Sequence, residues 1–200
     1  MKKTVIFDLG GVLVDWNPRY FYRAVFNDDN RMEDFLARCC NSEWVLRMDE
    51  GMSVKENIAL AQKSCPEYAK EIALYDEGWH HMFGPIFQGT VEILKELKQK
   101  GYKLYALTNW SAEKFPWAKE NFNFFTLFDA MVVSGQEKCI KPFPKIYQIL
   151  LSRYNLKAED CVFIDDNIKN VEAARELGFS AIRFTSPQEL KNELSILLED

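Results

Sequence analysis

The stretch Thr4-Val5-Ile6-Phe7-Asp8-Leu9-Gly10-Gly11-Val12 sets a short run of β-branched and apolar residues directly before an aspartate and a glycine pair. Such a run, closed by a turn signal, reads as a strand buried on both faces. Asp8 then stands at the strand's carboxyl end, the edge at which open α/β sheets bind their ligands. A carboxylate at the end of a buried strand costs several kcal/mol unless it is paired, liganded or hydrogen-bonded. Compensating groups are therefore expected around Asp8, although an aspartate that only caps a turn would satisfy the same pattern.

Residues 103–107, 130–133, 161–164 and 181–184 form similar apolar runs. Helical patterns separate most of them. Residues 89–100 carry Val91, Leu94 and Leu97 at helical spacing and stop at Gly101, and residues 170–177 stop likewise at Gly178. Glycine suits the left-handed residue that closes a helix. Pro144 suits the first turn of a helix bearing Ile146, Ile149 and Leu150 on one face. This alternation predicts an α/β fold with a parallel sheet covered on both faces.

Residues 16–87 break the alternation, running on in aromatic, acidic and helix-forming residues without a convincing strand. Helices are expected over 57–63 and 67–83, and Asp49-Glu50-Gly51 with Ser53 marks a turn followed by a fresh helix start. The insertion leaves the sheet after its first strand and returns for the second, so it should sit over the strands' carboxyl ends. The expected division is a core of residues 1–15 and 88–200 with a helical cap of residues 16–87.

The 200-residue chain is 48% hydrophobic and 28% charged, as a folded globular protein should be. A net charge of -5 gives no general attraction to nucleic acid or to an anionic membrane. Asp8 interrupts the N-terminal apolar run too early for a signal peptide, and no stretch approaches the roughly 18 apolar residues of a membrane span. Five cysteines, Cys39, Cys40, Cys65, Cys139 and Cys161, show no paired CxxC spacing. Reduced thiols in the cytoplasm are expected. No oligomeric state is legible.

A second acidic pair, Asp165-Asp166, follows the run 161–164 and precedes Asn167 and Asn170. If the two strands are neighbours, Asp8 and Asp166 could share a hard divalent cation in an oxygen shell of the kind magnesium demands. The alternative use is as a cap for the helix beginning near Ile168. Thr108-Asn109, ending the run 103–107, offers a hydroxyl and an amide to phosphate oxygens. Lys141, in Lys141-Pro142-Phe143-Pro144, can bring a positive charge to the same edge, unless it is an ordinary surface lysine.

Taken in order, Phe7-Asp8-Leu9-Gly10-Gly11-Val12, Leu107-Thr108-Asn109, Lys141-Pro142 and Phe163-Ile164-Asp165-Asp166-Asn167 resemble the four signature motifs of the haloacid dehalogenase superfamily. Within it the chain most resembles the helical-cap sugar-phosphate phosphatases, such as the α-glucose-1-phosphate phosphatase group. The resemblance implies a Rossmann-like parallel sheet core with a small helical cap inserted after the first strand. It also implies a small phosphorylated substrate, Asp8 as a nucleophile that becomes an aspartyl phosphate, and Thr108 holding phosphoryl oxygens. Lys141 would neutralise charge, and Asn109 and Trp16 would contact substrate. Asp8, the carbonyl of Gly10 and Asp166 would hold magnesium, supported by Asp165 and Asn170.

One position departs from that pattern. The usual phosphatase has a second aspartate two residues after the nucleophile, acting as general acid and base, where this chain has Gly10. That function is worth about 10²–10⁴-fold in rate. Either the substrate has a good leaving group, such as the anomeric oxygen of a sugar 1-phosphate, or a residue of the insertion supplies the proton. Asp15, Asp49, Glu50, His80 and His81 are available, and spacing singles out none. Dehalogenases lack the second aspartate too, and Trp16, Trp44, Trp79, Trp110 and Trp117 could line a halide pocket, but their chemistry needs no metal and leaves Asp165-Asp166 unexplained. A non-catalytic phospholigand-binding protein is a further alternative. Selectivity is expected from Trp16, Asn17, Arg47 and Trp110.

Overall fold

A computed structural model describes residues 3–198; residues 1–2 and 199–200 of the expected core segments lie outside the described residues. Strand β1 (Thr4–Phe7) is followed by β2 (Val14–Trp16) and six helices: α1 (Arg19–Val25), α2 (Asp29–Arg38), α3 (Ser42–Asp49), α4 (Val54–Ser64), α5 (Ala69–Ala73) and α6 (Tyr75–Gly78). Strand β3 (Phe83–Ile86) closes this group. Helix α7 (Gln88–Gln99) then leads into β4 (Leu104–Thr108), α8 (Phe115–Asn121), β5 (Ala130–Val133), α9 (Ser134–Glu137) and α10 (Pro144–Arg153). The chain ends with β6 (Cys161–Asp165), α11 (Ile168–Glu176), β7 (Ser180–Arg183) and α12 (Pro187–Leu198).

The main sheet has the order β5-β4-β1-β6-β7, parallel throughout, as the alternating runs predict. Val5 stands in register with Leu104 on one side and Val162 on the other, so β1 lies at the centre. Alternation divides the side chains between two cores. Val5, Phe7, Leu104, Ala106, Val162 and Ile164 pack on one face, while Ile6, Leu107, Cys161 and Phe163 pack on the other. The register also brings the carboxyl ends of β1, β4 and β6 side by side.

Two features differ from expectation. Strands β2 and β3 pair antiparallel, with Val14 opposite Ile86 and Trp16 opposite Phe83, at the two ends of the helical insertion. Residues 67–83 are not one helix but two short ones flanked by two 3-10 turns, because the chain must be extended by Phe83 to meet β2. Gly78 marks that break: a Cβ there would lie 2.2 Å from the Phe21 ring.

Helix α3 is fixed at both ends. The Asn41 side chain accepts from Trp44 N at its start, and the Ser53–Glu56 capping box begins α4 just beyond it, as the turn signal predicts. Asn57 Nδ2 donates to the Trp44 carbonyl at 2.7 Å and Trp44 Nε1 donates to the Asn57 carbonyl at 3.2 Å, tying α3 to α4. Asp49, the last residue of α3, is thereby held in place. The insertion meets the sheet end through the Lys114–Asp76 ion pair and through Val54 N, which donates to Glu113 at 3.4 Å. All five cysteines are free, and no helix among the described residues is long and apolar enough to cross a membrane.

Candidate active site

The sheet register delivers Asp8, Thr108 and Asp165 to one edge, where Lys141 joins them. Lys141 is only 2% exposed, and its Nζ lies 2.9 Å from Asp8 Oδ1 and 2.6 Å from Asp165 Oδ2. Its loop is pinned by Asn109, whose Nδ2 donates to the Lys141 carbonyl and whose Oδ1 accepts from Lys141 N. The Asn109 amide, expected to face substrate, is thus engaged at both ends with the lysine's main chain. Asp165 in turn accepts from Asn170 Nδ2 at 3.0 and 3.1 Å and from Asn167 N at 2.9 Å. These bonds use Asn170 and Asp165 to support the cluster, while β6, which ends at Asp165, and α11 set their spacing.

Carboxylate oxygens of Asp8, Asp165 and Asp166 lie within 4.8 Å of one another. Burial pushes the Asp8 carboxyl well above the ordinary range; Lys141 pulls it back, and Asp165 and Asp166 push it up again. Burial raises Asp166 as well, followed by the charge of Asp165. For Lys141, burial opposes the charge, but Asp165 and Asp8 outweigh it and the ammonium persists. Three clustered carboxylates, of which Asp8 and Asp165 share one ammonium, leave two negative charges uncompensated when all are ionised. Hard oxygen donors with that excess suit a divalent cation, and the buried Asn170 Oδ1 and Thr108 Oγ1 have no hydrogen-bond partner. The donor set therefore fits magnesium.

Gly11 makes the approach of Asp166 possible. Its φ is +72°, and a Cβ on it would lie 2.5 Å from Asp166 Oδ2. Gly11→Ala should cost about 1–3 kcal/mol through the strained backbone alone. It should also shrink the rise in melting temperature on adding magnesium, because Asp166 is displaced. Thermal melts of both proteins with and without the cation check this; an unchanged magnesium shift would count against Asp166 as a ligand.

Beside the carboxylates lies a cavity of about 130 Å³. Gly10, Asn109 and Ser111 line it from the sheet side, and Asp49, Tyr75 and Trp79 from the insertion, with Trp16 and Trp110 between. Trp16 Nε1, Trp110 Nε1 and Ser111 Oγ are buried without partners. The walls are apolar, yet these groups can meet oxygen atoms of a ligand. Trp16 and Trp110 are where the sequence places substrate contacts. Arg47 is not: it pairs with Glu43 at 3.5 Å and lines a separate open depression. Asn17 is used locally, accepting from Arg19 N. Asp15 accepts from the Tyr20 hydroxyl, and Glu50, His80 and His81 are exposed. Ser111 and Lys114 escaped the sequence analysis, though Ser111 stands two residues beyond Asn109.

Asp49 is buried, and burial followed by the charge of Asp8 pushes its carboxyl up to about 8, against the pull of Lys141. A carboxyl with a raised folded pKa binds extra protons in the native state, so its contribution to stability falls as pH rises from its ordinary 3.8 towards 8. Asp49→Asn should melt like the parent near pH 4 and gain on it progressively up to pH 8, in metal-free buffer. A difference that is constant across that range would show an Asp49 that ionises normally.

Comparison with known proteins places these features in a group. The haloacid dehalogenase-like hydrolase family model matches residues 2–178. A phosphorylated carbohydrates phosphatase of Thermotoga maritima is 29% identical, covering 90% of this chain and 83% of its own. A sesquiterpene phosphatase of Aspergillus oryzae is also 29% identical, over 92% of this chain and 90% of its own. The fold is shared with a HAD family enzyme of Bacteroides thetaiotaomicron crystallised with magnesium and inorganic phosphate: TM-score 0.71, 24% identity, and coverage of 93% of this chain and 96% of that one.

Proposed function

Because the chain belongs to the haloacid dehalogenase-like hydrolases, we propose that it is a magnesium-dependent phosphatase of a small phosphorylated metabolite, a sugar phosphate, acting through an aspartyl phosphate on Asp8. The observation that carries this reading is the cluster of three carboxylates, two of them paired with one buried ammonium. A carbon-attacking dehalogenase needs no cation, whereas two further carboxylates beside the nucleophile suit one. A cation there would be held by Asp8, the Gly10 carbonyl and Asp166, with Asp165 and Asn170 behind them. When bound, magnesium supplies charge to draw phosphoryl oxygens towards Asp8.

The chain's own groups supply the rest. Asp8 attacks phosphorus while the Thr108 hydroxyl, unpartnered at the end of β4, donates to a phosphoryl oxygen. Lys141 holds Asp8 and Asp165 apart as anions and offsets the charge that arrives with the phosphate. Residues 16–87 serve as the cap, and the cavity under it, with aromatic faces and unpartnered donors, receives the organic part of the ester. The cytoplasm keeps its five thiols free.

Phosphate release from sugar 1-phosphates, sugar 6-phosphates, a polyol phosphate, a prenyl monophosphate and an aryl phosphate, with and without magnesium, tests the reading. Turnover that requires magnesium is the expected result, with the carbohydrate esters ahead of the prenyl ester. Halide release from a 2-haloacid without metal, and no phosphate release, would replace phosphatase by dehalogenase. Tight binding of a phosphorylated compound without any turnover would leave a binding protein.

A further inference from the structure

Position 10 leaves a gap in the machinery. A Cβ built on Gly10 would meet no atom within 4 Å, and the open space belongs to the cavity that Asp49 also lines. Asp49 reaches that cavity from α3, whose capped start and Trp44–Asn57 bonds fix its position. It is 8% exposed and makes no hydrogen bond or ion pair among the described residues. A buried carboxyl without a partner is costly where nothing is bound. Its setting makes sense if a ligand atom is the missing partner.

We propose that Asp49 is the general acid and base of this enzyme, lent to the cavity by the helical insertion in place of the side chain that Gly10 lacks. The proposal rests on the phosphatase reading above. In the first step the Asp49 proton passes to the ester oxygen as the bond from phosphorus to that oxygen breaks and the bond from Asp8 to phosphorus forms. In the second, the Asp49 carboxylate takes a proton from water as water oxygen bonds to phosphorus and Asp8 is released. Phosphate leaves, and Asp49 ends as it began.

The surroundings favour the protonated start. The charges acting on Asp49 are Asp8, which raises its pKa, and Lys141, which opposes it less strongly; burial exceeds both. The Tyr75 phenol facing it from α6 is held neutral by burial, and Lys114 on the same cavity is engaged with Asp76. The other carboxylate and imidazole candidates are excluded by position. Asp15 is taken by Tyr20, and Glu50, His80 and His81 are exposed and do not line the cavity. With its own acid, the enzyme does not need a substrate with a good leaving group.

The test compares wild type, Asp49→Asn and the double variant Gly10→Asp/Asp49→Asn, with magnesium, on p-nitrophenyl phosphate and on the alkyl phosphate turned over fastest. Asp49→Asn should lose about 10²–10⁴-fold on the alkyl ester. On the aryl ester, whose leaving group needs no proton, it should release a rapid burst of one nitrophenol per enzyme and then stall. Intact-protein mass should show the phosphorylated chain accumulating. Gly10→Asp should restore turnover in the double variant, since its side chain enters the same cavity. An equal, small loss on both esters without a burst would overturn the proposal and leave the phosphatase standing. Absence of any magnesium-dependent release from wild type would overturn both.

Discussion

Asp8→Asn should lower magnesium-dependent phosphate release by about 10⁴–10⁶-fold, the loss seen when an enzyme's covalent nucleophile is removed, with the protein still folded. An amide oxygen cannot bond to phosphorus to give the acyl phosphate. The scaffold keeps what it needs: Leu9 N donates to Asp8 Oδ1 at 2.7 Å, and the asparagine oxygen can accept that bond. Lys141 retains Asp165 at 2.6 Å. The change also removes one of three clustered negative charges, from a site where burial already disfavours the anion. In metal-free buffer the variant should therefore melt at or above the wild-type temperature, while magnesium should stabilise it less. Activity within tenfold of wild type would move the nucleophile elsewhere. A collapse of stability would instead show Asp8 to be structural, the turn-cap alternative that the sequence leaves open.

The five parallel strands are legible because each is a buried run of β-branched and apolar residues, and burial on both faces leaves a continuous signal in the sequence. Strands β2 and β3 are illegible for the opposite reason. Val14-Asp15-Trp16 is three residues long, and Phe83-Gly84-Pro85-Ile86 contains a glycine and a proline, so neither has a length or composition that marks a strand. The motif residues Asp8, Thr108, Lys141, Asp165 and Asp166 converge because Thr108 and Asp165 end strands of one parallel sheet and Asp8, Lys141 and Asp166 follow strands of it. Their order along the chain already implies a common site. Asp49 has no such relation to them. Its place depends on how α3 packs against α4 and on where the insertion meets the sheet, and those are contacts between residues distant in sequence. The same holds for Asn109, whose amide could only be assigned once the Lys141 loop was seen to return to it.

Lys141→Met should destabilise the protein by about 3–5 kcal/mol, the cost of leaving buried carboxylates without their counter-charge. For a chain of this length that is a fall in melting temperature of roughly 6–20 °C. Methionine fills nearly the same volume, so the effect reports charge and not a cavity. Asp165 is fully buried and Asp8 nearly so; without the ammonium, Asp8, whose carboxyl burial already pushes up, must take up a proton to remain inside. The folded pKa of Asp8, which burial already raises, then rises further above the unfolded one. Extra protons bound in the native state make stability fall as pH rises, so the deficit should be larger at pH 8 than at pH 5.5. Magnesium should recover part of it by supplying positive charge to the same oxygens. Turnover should drop at both pH values, since the ammonium also offsets the incoming phosphate. A deficit that is below 1 kcal/mol, or that is the same at the two pH values, would mean that the buried ammonium does not hold these carboxylates as anions, and that some other group must balance the charge around Asp8.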